Sequence, residues 1–400
     1  MGSGDKLRIG VIGAGGRGTI AEHWAKSPRA ALVAAADTRP EGFAELARAA
    51  GTDDFEKFSD YRRLLSRKDL DAVAVCSPDW LHEEHATAAL SAGKHVFCEK
   101  PLAISIAGCD RILAAAKAAG KKIMVGFNMR HMNFTRVMKE IVDSGAIGKL
   151  KTIWVRHFIS YGGRFYFHDW HAESKKSTSL LLQKGSHDID VMHWIAGSYA
   201  KRVVGFGALS HFGGDRPDTL VCRQCPDREN CPDDNSLLER DRPDRQLCCF
   251  RKSVDVLDNQ MILMQLESGV QACYLQCHFA PEAWRNYTFI GTEGRLENVP
   301  SPADRSGERT IVLHTRKSGT WREYADRTYE VKPAGSDGHG GADARITRDF
   351  LEYVLDDRPP VSPAVAGRMS VAVGCLGAES IAQGGRPLEV PPLPAELAGL

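Results

Sequence analysis

A glycine-rich loop close to the start of the chain has the spacing of a phosphate-binding turn. Gly13, Gly15 and Gly18 follow a short β-rich run, and a helical stretch and a second apolar strand then lead to Asp37. In this order the first glycine permits a tight turn, the second lets the backbone approach a pyrophosphate, and the third allows close helix packing. The phosphate would meet the N-terminus of the helix. The loop therefore predicts a dinucleotide-binding site.

Asp37 is the residue expected to choose between the two nicotinamide dinucleotides. It stands about twenty residues beyond Gly18, at a strand end, where a carboxylate accepts hydrogen bonds from ribose hydroxyls and repels a 2′-phosphate. This favours NAD, although the nearby Arg39 leaves NADP as an alternative. The residues predicted to contact the cofactor are Gly13, Ala14, Gly15, Arg17, Gly18, Asp37, Thr38, Arg39, Ser77, Pro78, Asp79, His82, Glu99, Lys100 and Asn128.

Three further groups of polar residues follow apolar strands in the first third of the chain. They begin at Ser77, Glu99 and Asn128, directly after β-rich runs that alternate with helical stretches. Strands that alternate with helices predict a parallel, doubly wound sheet. Ligands bind outside the carboxyl ends of the strands in such sheets, so the three groups are expected to line one crevice.

The predicted fold class is α/β, with an N-terminal Rossmann dinucleotide-binding domain over residues 1–130. Longer β-rich stretches dominate after this point, and two helical stretches follow at 342–356 and 364–383. They predict a C-terminal α+β domain over residues 131–400, built on a mostly antiparallel open sheet. We expect this second domain to bind the substrate.

Composition narrows the classes of partner. Lys and Arg total 52 and Asp and Glu total 51, so a formal charge of +1 removes the electrostatic case for nucleic acid or an anionic membrane. With 43% hydrophobic residues, the 400-residue chain can fill the cores of two or three domains. No apolar run approaches the length of a membrane span and the start has no signal core, which predicts a cytoplasmic location.

Five of the eleven cysteines crowd into a polar stretch near 213–252 that interrupts the β pattern, and we interpret this stretch as an insertion. Cys222, Cys225, Cys231 and Cys248 could supply four thiolates to a tetrahedral structural zinc ion. Such an ion would stabilise a loop that is too polar to have a core. Because the spacing is irregular, an iron–sulfur cluster, disulfides and unliganded thiols stay open as alternatives.

Three longer segments carry a resemblance to a known family. Residues 93–103, with Glu99-Lys100-Pro101 near their centre, and residues 143–149 and 185–190 resemble the Gfo/Idh/MocA family of glucose–fructose oxidoreductases and inositol dehydrogenases. The likeness spans nearly the whole chain. It implies an NAD(P)-dependent enzyme that oxidises a hydroxyl of a sugar, sugar derivative or cyclitol to a ketone, or runs the reverse reaction. It also implies a homo-oligomer, either a dimer or a tetramer.

Lys100 matches the family's lysine that contacts the reacting hydroxyl and the nicotinamide ribose. Hydride leaves an alcohol carbon only as the hydroxyl proton is lost, so a cation beside the oxygen stabilises the developing alkoxide. A lysine with a lowered pKa would also relay the proton. The resemblance further implies a cis bond between Lys100 and Pro101.

The family pattern in the second domain is an aspartate, three residues and then a histidine. This chain has Gln183 in place of the aspartate and keeps His187, which we expect to act as a general acid or base. Gln183 cannot orient an imidazole by charge, so the usual proton relay is in doubt. Lys184 could substitute in part, or could be exposed to solvent.

Aromatic and hydrogen-bonding residues are interleaved over residues 161–171, a composition that suits a carbohydrate ring. Tyr166, His168, Trp170 and His171 are therefore predicted to contact substrate, with Trp170 and His171 preferred. The predicted substrate-binding set is completed by Lys100, Arg130 and His187. As the alternative, Tyr166 and Trp170 simply fill a packing seam.

Three functions follow from these features. The leading one is an NAD-dependent sugar or cyclitol dehydrogenase with Lys100, His187, Gln183 and Lys184 as the catalytic group. The second is an NAD-dependent glycoside hydrolase or lyase, which oxidises a sugar transiently, eliminates the glycosidic substituent and recycles its cofactor. A dinucleotide sensor is a third reading, but a sensor needs neither Lys100 nor His187.

Overall fold

The computed structural model describes residues 6–237, 246–300, 308–316, 324–332, 334–335 and 339–399. Its residue contacts divide the chain into two units. The first unit contains Met1–Thr135, Pro333–Val371 and Pro392–Leu400, and the second contains Arg136–Lys332 and Ala372–Pro391. Part of the expected insertion near 213–252 lies outside the described residues.

The first unit is built on a six-stranded parallel sheet. Its strands are β1 Leu7–Ile12, β2 Ala30–Ala36, β3 Glu56–Phe58, β4 Ala72–Val75, β5 His95–Cys98 and β6 Ile123–Val125. Its helices up to the start of the second unit are α1 Glu22–Ala25, α2 Pro40–Ala50, α3 Tyr61–Leu65, α4 His82–Ser91 and α5 Ile106–Ala119. Helix α6, Asn133–Asp143, begins at the end of this segment and lies mostly in the second unit. The strand order is β3-β2-β1-β4-β5-β6, with every pair parallel.

This strand order confirms the predicted Rossmann fold and indicates where a ligand would bind. From β1 the chain adds β2 and β3 toward one edge of the sheet, and from β4 it adds β5 and β6 toward the opposite edge. The carboxyl ends of β1 and β4 therefore flank a topological switch point. All four residues of β4 are buried, as in a sheet covered by helices on both faces. The sequence analysis did not anticipate α2, β3 and α3.

The second unit contains a nine-stranded, mostly antiparallel sheet, as expected. Its strands are β7 Leu150–Phe158, β8 Ala200–Ala208, β9 Asn259–Leu266, β10 Gln271–Cys277, β11 Trp284–Gly291, β12 Gly294–Asn298, β13 Thr310–Thr315, β14 Arg327–Glu330 and β15 Leu388–Glu389. The order is β14-β13-β12-β11-β7-β10-β9-β8-β15. Among the described strand pairs, β7 and β10 run parallel and the others antiparallel.

The remaining helices are α7 Ser174–Ser177, α8 Leu180–Gln183, α9 Gly185–Ala196, α10 Ala342–Asp356 and α11 Ala364–Ala382. The expectation placed α10 in a C-terminal domain, but its residues pack in the first unit. The ring of Phe350 lies 5.7 Å from Trp24, and the Trp24 indole N–H donates to the Thr347 carbonyl at 3.0 Å. Late residues therefore complete the core under the glycine loop.

Helix α11 is long and apolar enough to cross a membrane by length and composition, which the sequence analysis did not anticipate. Of its most apolar 18-residue window, 67% is buried inside the structure. Burial of this kind is what the core helix of a folded domain shows.

Candidate active site

The glycine loop between β1 and the following helical turn leaves no room for side chains at two positions. Gly13 has φ of +85°, and a Cβ there would lie 2.7 Å from the backbone of Cys76. A Cβ on Gly18 would lie 2.0 Å from the Gly13 carbonyl oxygen. Both distances are shorter than any real Cβ contact, so the turn that brings backbone N–H groups to the switch point requires glycine.

The donors of this loop face two carboxylates. Asp37 accepts a hydrogen bond from the Gly15 N–H at 3.1 Å, and the Gly16 N–H donates to Glu45 at 2.7 Å. Glu45 lies on α2, and sequence reasoning missed it because only the packing of that helix brings it to the loop. Two carboxylates at this position would repel a 2′-phosphate, as the prediction for Asp37 requires.

Arg17 lies inside an ion-pair network and is largely buried by it. Its guanidinium donates to Glu99 at 2.5 Å and to both carboxylate oxygens of Asp343 at 2.6 and 2.8 Å. Burial alone would raise the pKa of Asp343, but hydrogen bonds from Arg17 and His339 hold that pKa well below its ordinary value. These ion pairs give Arg17 a structural role, because they connect the glycine loop to Glu99. The contact of Arg17 with the cofactor stays a prediction.

Glu99 and Lys100 follow β5 at the carboxyl edge of the sheet. The second carboxylate oxygen of Glu99 accepts the Lys100 backbone N–H at 3.0 Å, so Arg17 and the backbone together orient this side chain. A Cβ on Gly126 would lie 2.9 Å from the Glu99 carboxylate, so glycine leaves space for it. The Lys100–Pro101 bond is cis, as the resemblance implied.

His82 connects the loops after β4 and β5. Its two ring nitrogens lie 2.7 Å from the Pro101 carbonyl and 2.7 Å from the Ser77 carbonyl, and the side chain is buried. Burial lowers the pKa of His82 below its ordinary value. Because both nitrogens bond backbone carbonyls, the structure gives His82 a positioning role, and its contact with the cofactor stays a prediction.

Four other predicted residues lie at the same sheet edge. Asp79 is buried in the turn before α4, and the Ser77 hydroxyl bonds the His85 ring at 2.8 Å. Asn128 contacts Asp343 at 3.4 Å, and Arg130 donates to the Val361 carbonyl at 2.7 Å. Arg130 is buried, and this backbone bond directs at least part of its guanidinium into the first unit. The contact of Arg130 with substrate stays a prediction.

In the second unit, Gln183 and His187 belong to different helices. Gln183 ends α8 and is buried, Lys184 breaks the helix, and His187 lies half-buried in the first turn of α9. The ammonium of Lys184 lies 5.9 Å from the ring of Tyr161 and 5.8 Å from that of Tyr166. Lys184 therefore makes cation–π contacts one turn before His187, instead of extending into solvent.

Asp188, directly after His187, is the centre of a buried network that sequence reasoning missed. The carboxylate accepts hydrogen bonds from Tyr274 at 2.9 Å and from Tyr287, lies 3.0 Å from the His157 ring, and pairs with Arg285 at 3.0 Å. Burial alone would raise the pKa of Asp188, but Arg285 and these donors hold it well below its ordinary value. The network anchors the start of α9, and with it His187.

The His157 ring makes an acid-sensitive contact in this network. Burial first, and then the positive charge of Arg285, lower the pKa of His157 from 6.5 to about 3. Since the folded pKa lies below the unfolded one, the unfolded chain takes up a proton that the folded chain does not. The stabilisation by His157 is therefore complete above pH 6.5 and is lost as pH falls toward 3.

We expect His157→Gln to weaken the loss of stability between pH 7 and pH 5. Over that interval His157 alone should lower the free energy of unfolding by about 2 kcal/mol. His85 and His95, whose pKa values burial lowers to about 4, also make the free energy of unfolding depend on pH, but they do so equally in the wild type and in His157→Gln. Urea unfolding at the two pH values measures the difference, and equal pH slopes in both proteins would contradict the assignment.

Tyr166 and His168, two of the predicted substrate contacts in the 161–171 stretch, have partners within the second unit. Tyr166 is buried in an apolar cluster with Phe167 and Phe212. Both ring nitrogens of His168 face backbone carbonyls, those of Leu247 at 2.6 Å and Asp233 at 2.8 Å. These side chains are already satisfied by packing and hydrogen bonding, which their residue types alone did not reveal.

Trp170 and His171 form a different arrangement. Their rings stack at 3.7 Å, and His171 Nδ1 lies 2.5 Å from the Asp169 carboxylate, which also accepts the His171 backbone N–H. Asp169 and His171 are buried, whereas Trp170 is partly exposed. A carboxylate on Nδ1 fixes the orientation and tautomer of an imidazole, as in many general bases. His171 was predicted from the sequence as a substrate contact, but its hydrogen bond to Asp169 was not predicted.

Two models of one family match the chain. The N-terminal model, an oxidoreductase family with the NAD-binding Rossmann fold, matches residues 7–127, and the model of that family's C-terminal α/β domain matches residues 139–390. The chain belongs to the Gfo/Idh/MocA oxidoreductase family. This confirms the resemblance carried by the three longer sequence segments.

Two relatives and one solved structure illustrate the relation. YteT of Bacillus subtilis, which is named as an oxidoreductase, is 26% identical over 76% of this chain and 78% of the YteT chain. Myo-inositol 2-dehydrogenase of Thermotoga maritima is 33% identical over 51% of this chain and 59% of that enzyme. Levoglucosan dehydrogenase in complex with NADH and levoglucosan gives a TM-score of 0.76 at 20% identity, covering 97% of this chain and 100% of that chain. At that identity the likeness concerns the fold.

The loop of this Gfo/Idh/MocA protein fits a dinucleotide. Gly13 and Gly18 permit the turn. The N–H groups of Gly15 and Gly16 donate to Asp37 and Glu45 in this structure and would be the donors to a pyrophosphate, and Asp37 follows the end of β2, where a ribose would lie. NAD binding is therefore the property of the first unit that family and geometry both support.

Asp37→Ser is expected to weaken NAD binding and to narrow the preference for NAD over NADP. Losing hydrogen bonds to a charged group costs about 1.5–3 kcal/mol, which is roughly a tenfold to hundredfold rise in the Kd for NAD. Fluorescence titration with both dinucleotides measures the change. Asp54→Ser, at an exposed position of the same unit, is the matched control. An unchanged ratio of the two affinities would remove Asp37 as the selecting residue.

Proposed function

We propose that this Gfo/Idh/MocA protein is an NAD-dependent dehydrogenase acting on a hydroxyl or ketone of a sugar, sugar derivative or cyclitol. The observation that carries the proposal is Lys100 at the carboxyl end of β5, in the unit that contains the glycine loop. The names of the relatives support the substrate class, since inositol is a cyclitol and levoglucosan an anhydrosugar. Neither name selects a particular substrate for this chain.

Each proposed catalytic residue has a distinct task. The bound dinucleotide would accept or return the hydride. Lys100 would stabilise the alkoxide that develops as the substrate hydroxyl loses its proton, and Glu99, locked by Arg17, would hold the loop that carries Lys100. His187 would exchange the proton with solvent, because an imidazole titrates near neutral pH. Gln183 would help by hydrogen bonding only, since it carries no charge.

The test begins with the protein as purified. It is denatured, any released nucleotide is identified and quantified, and the native protein is offered sugars, cyclitols and aryl glycosides with and without NAD. NADH accumulating with one polyol class supports the dehydrogenase and identifies its substrates. Cleavage of glycosides without added cofactor, together with near-stoichiometric retained NAD, would replace it by the second candidate. Nucleotide binding without turnover of any compound would contradict both enzymes.

The second candidate is an NAD-dependent glycoside hydrolase or lyase. Elimination from an oxidised sugar needs a base for a ring C–H in addition to the group that serves the hydroxyl. The Asp169–His171 pair is an imidazole already oriented by a carboxylate, and the partly exposed Trp170 stacks on it. This observation keeps the candidate in view, because a simple dehydrogenase has no need of a second base.

We propose that the protein is a homo-oligomer that associates through the uncovered face of its nine-stranded sheet. Phe206, Met261, Leu263, Trp154 and Ile290 lie on the strands of this sheet and are 39–68% exposed. The strand register places Phe206 opposite Met261, and it places Leu263, two residues further along β9, in one row with Cys273 and Trp154. Contiguous apolar surface of this kind is unusual on a monomer.

Leu263→Glu is expected to shift the oligomer to a smaller species, because a carboxylate at the centre of an apolar interface would be buried without a partner. Light scattering after size exclusion measures the mass. Tyr324→Glu changes a still more exposed large hydrophobic residue outside the sheet strands and should leave the mass unchanged. A monomeric wild-type protein would contradict the interface.

The cytoplasm is the compartment we propose. All eleven cysteines are free of disulfides in the structure, including pairs that are close in sequence. Thiols persist in this form where the redox poise is reducing.

A further inference from the structure

The cysteines of the insertion line one cavity in the second unit. The cavity has a volume of about 230 Å³, and its wall includes Cys222, Cys225, Cys231, Cys248 and Cys249. They come from two chain segments on either side of the undescribed residues 238–245. Five cysteines around one small cavity are far more than packing requires, because a free thiol usually serves as a single small core residue.

Backbone pairing brings the two segments together in register. The Cys222 N–H donates to the Gln246 carbonyl at 2.8 Å, and the Cys248 N–H donates to the Leu220 carbonyl at 2.7 Å. Val221 and Leu247 form the antiparallel bridge between them. In such a bridge residues two apart point to the same side, so Cys222 and Cys248 are diagonal neighbours on one face.

The other two sulfurs are delivered by tight turns. The Cys225 N–H donates to the Cys222 carbonyl at 3.1 Å, which folds the C-x-x-C segment back on itself, and a second turn ends at Cys231. Backbone N–H groups point at two of the sulfurs, from Asn235 to Cys222 and from Asp233 to Cys231.

His168 holds the cysteine-bearing segments in place. Its ring bonds the Leu247 carbonyl next to Cys248 and the Asp233 carbonyl two residues after Cys231. Its Nδ1 also lies 3.6 Å from the Cys222 sulfur. Because both ring nitrogens are engaged with backbone, His168 acts as a clamp around the cavity and is not itself a free ligand.

We propose that Cys222, Cys225, Cys231 and Cys248 bind one zinc ion as four thiolates in tetrahedral geometry. Cys249 is excluded because it is buried in the apolar cluster with Phe167 and Phe212. Arg216 and Arg228 also line the cavity, as do Asp227, which pairs with Arg216, and Asp234, so the charged side chains of the wall balance one another. Zinc would cross-link a polar segment that has little core of its own.

Among the described residues, no three His, Cys, Asp or Glu side chains are close enough to form a metal-binding group. The four sulfurs are therefore farther apart than the ligands of one zinc ion. Binding an ion would require the four sulfurs to move closer together, and rotation about the Cα–Cβ bond between staggered rotamers is the smallest movement that displaces a cysteine sulfur.

The experiment measures metal in protein purified without an affinity tag or chelator. We expect about one zinc per chain in the wild type and at least a twofold loss of zinc in Cys222→Ser and Cys248→Ser. Cys273, a partly buried cysteine on β10, provides the matched control, and Cys273→Ser should lose no zinc. The wild type gives an independent readout in case the serine variants do not fold. Removing its zinc should lower the Tm, and restoring zinc should reverse the change.

Several results would overturn the proposal. They are less than about half a zinc per chain in folded wild type, full zinc in Cys222→Ser, and iron with acid-labile sulfide in place of zinc. A thiol titration that finds fewer than the eleven cysteines without metal removal or reductant, and no zinc, would instead assign disulfides. None of these readouts depends on catalytic activity, so they stand apart from the test of the dehydrogenase.

Discussion

Lys100→Met should lower kcat by about 10²–10⁴-fold on the substrate class identified above, with NAD still bound. The substitution keeps the length of the side chain and removes its charge and its exchangeable protons. An alkoxide developing on the substrate would then have no cation from Lys100, and the hydroxyl proton would have no lysine acceptor. Because the effect concerns the reacting oxygen, kcat should fall much more than the Kd for NAD rises.

Steady-state kinetics and NAD titration of the same preparations separate these quantities. Lys68→Met, at an exposed position of the first unit, is the matched control and should leave both unchanged. Lys100→Arg keeps a positive charge but cannot give up its proton, so partial activity there would assign Lys100 to charge stabilisation alone. Loss of less than tenfold in Lys100→Met would remove it from the chemistry.

Asp188→Ala should lower the free energy of unfolding by about 3–5 kcal/mol, the largest stability effect we expect from a single substitution in this chain. The carboxylate is fully buried, and its removal takes away the counter-ion of Arg285 and an acceptor of the Tyr274 and Tyr287 hydroxyls, of which Tyr274 keeps a bond to Gln276. Burying an unpaired cation is the main penalty. Urea unfolding followed by circular dichroism measures it.

Two milder variants keep this prediction testable if Asp188→Ala does not fold. Tyr274→Phe and Tyr287→Phe each remove one hydroxyl donor and should cost about 1–3 kcal/mol. Glu267→Ala, which removes an exposed carboxylate in the same unit, should have little effect. A loss below about 1 kcal/mol in Asp188→Ala would mean that water or a neighbouring group replaces the carboxylate.

The same network predicts a second readout at His187. Because Asp188 follows it directly in the first turn of α9, loosening the network should displace the histidine along with the turn. We expect the tyrosine variants to change the pH profile of kcat more than the KM. A purely structural role would alter stability and leave that profile unchanged.

The sequence by itself determined the parts of this protein that depend on neighbours along the chain. The spacing of Gly13, Gly15 and Gly18 reflects a turn in which a Cβ would collide with nearby backbone, so the requirement is written locally. The alternation of apolar strands with helices implied the Rossmann fold for the same reason. The cis bond before Pro101 and the position of Lys100 came from a contiguous motif and its family resemblance.

Only the tertiary structure decided which polar side chains are already occupied. Arg17 meets Asp343, 326 residues away, and both ring nitrogens of His168 bond backbone carbonyls, those of Leu247 and Asp233. Asp188 acquired its partners from three different strands, and α10 completed the first unit from the far end of the chain. Residue type shows that such groups can bond, but burial and long-range pairing decide with what, because an unsatisfied polar group in the interior is too costly to leave.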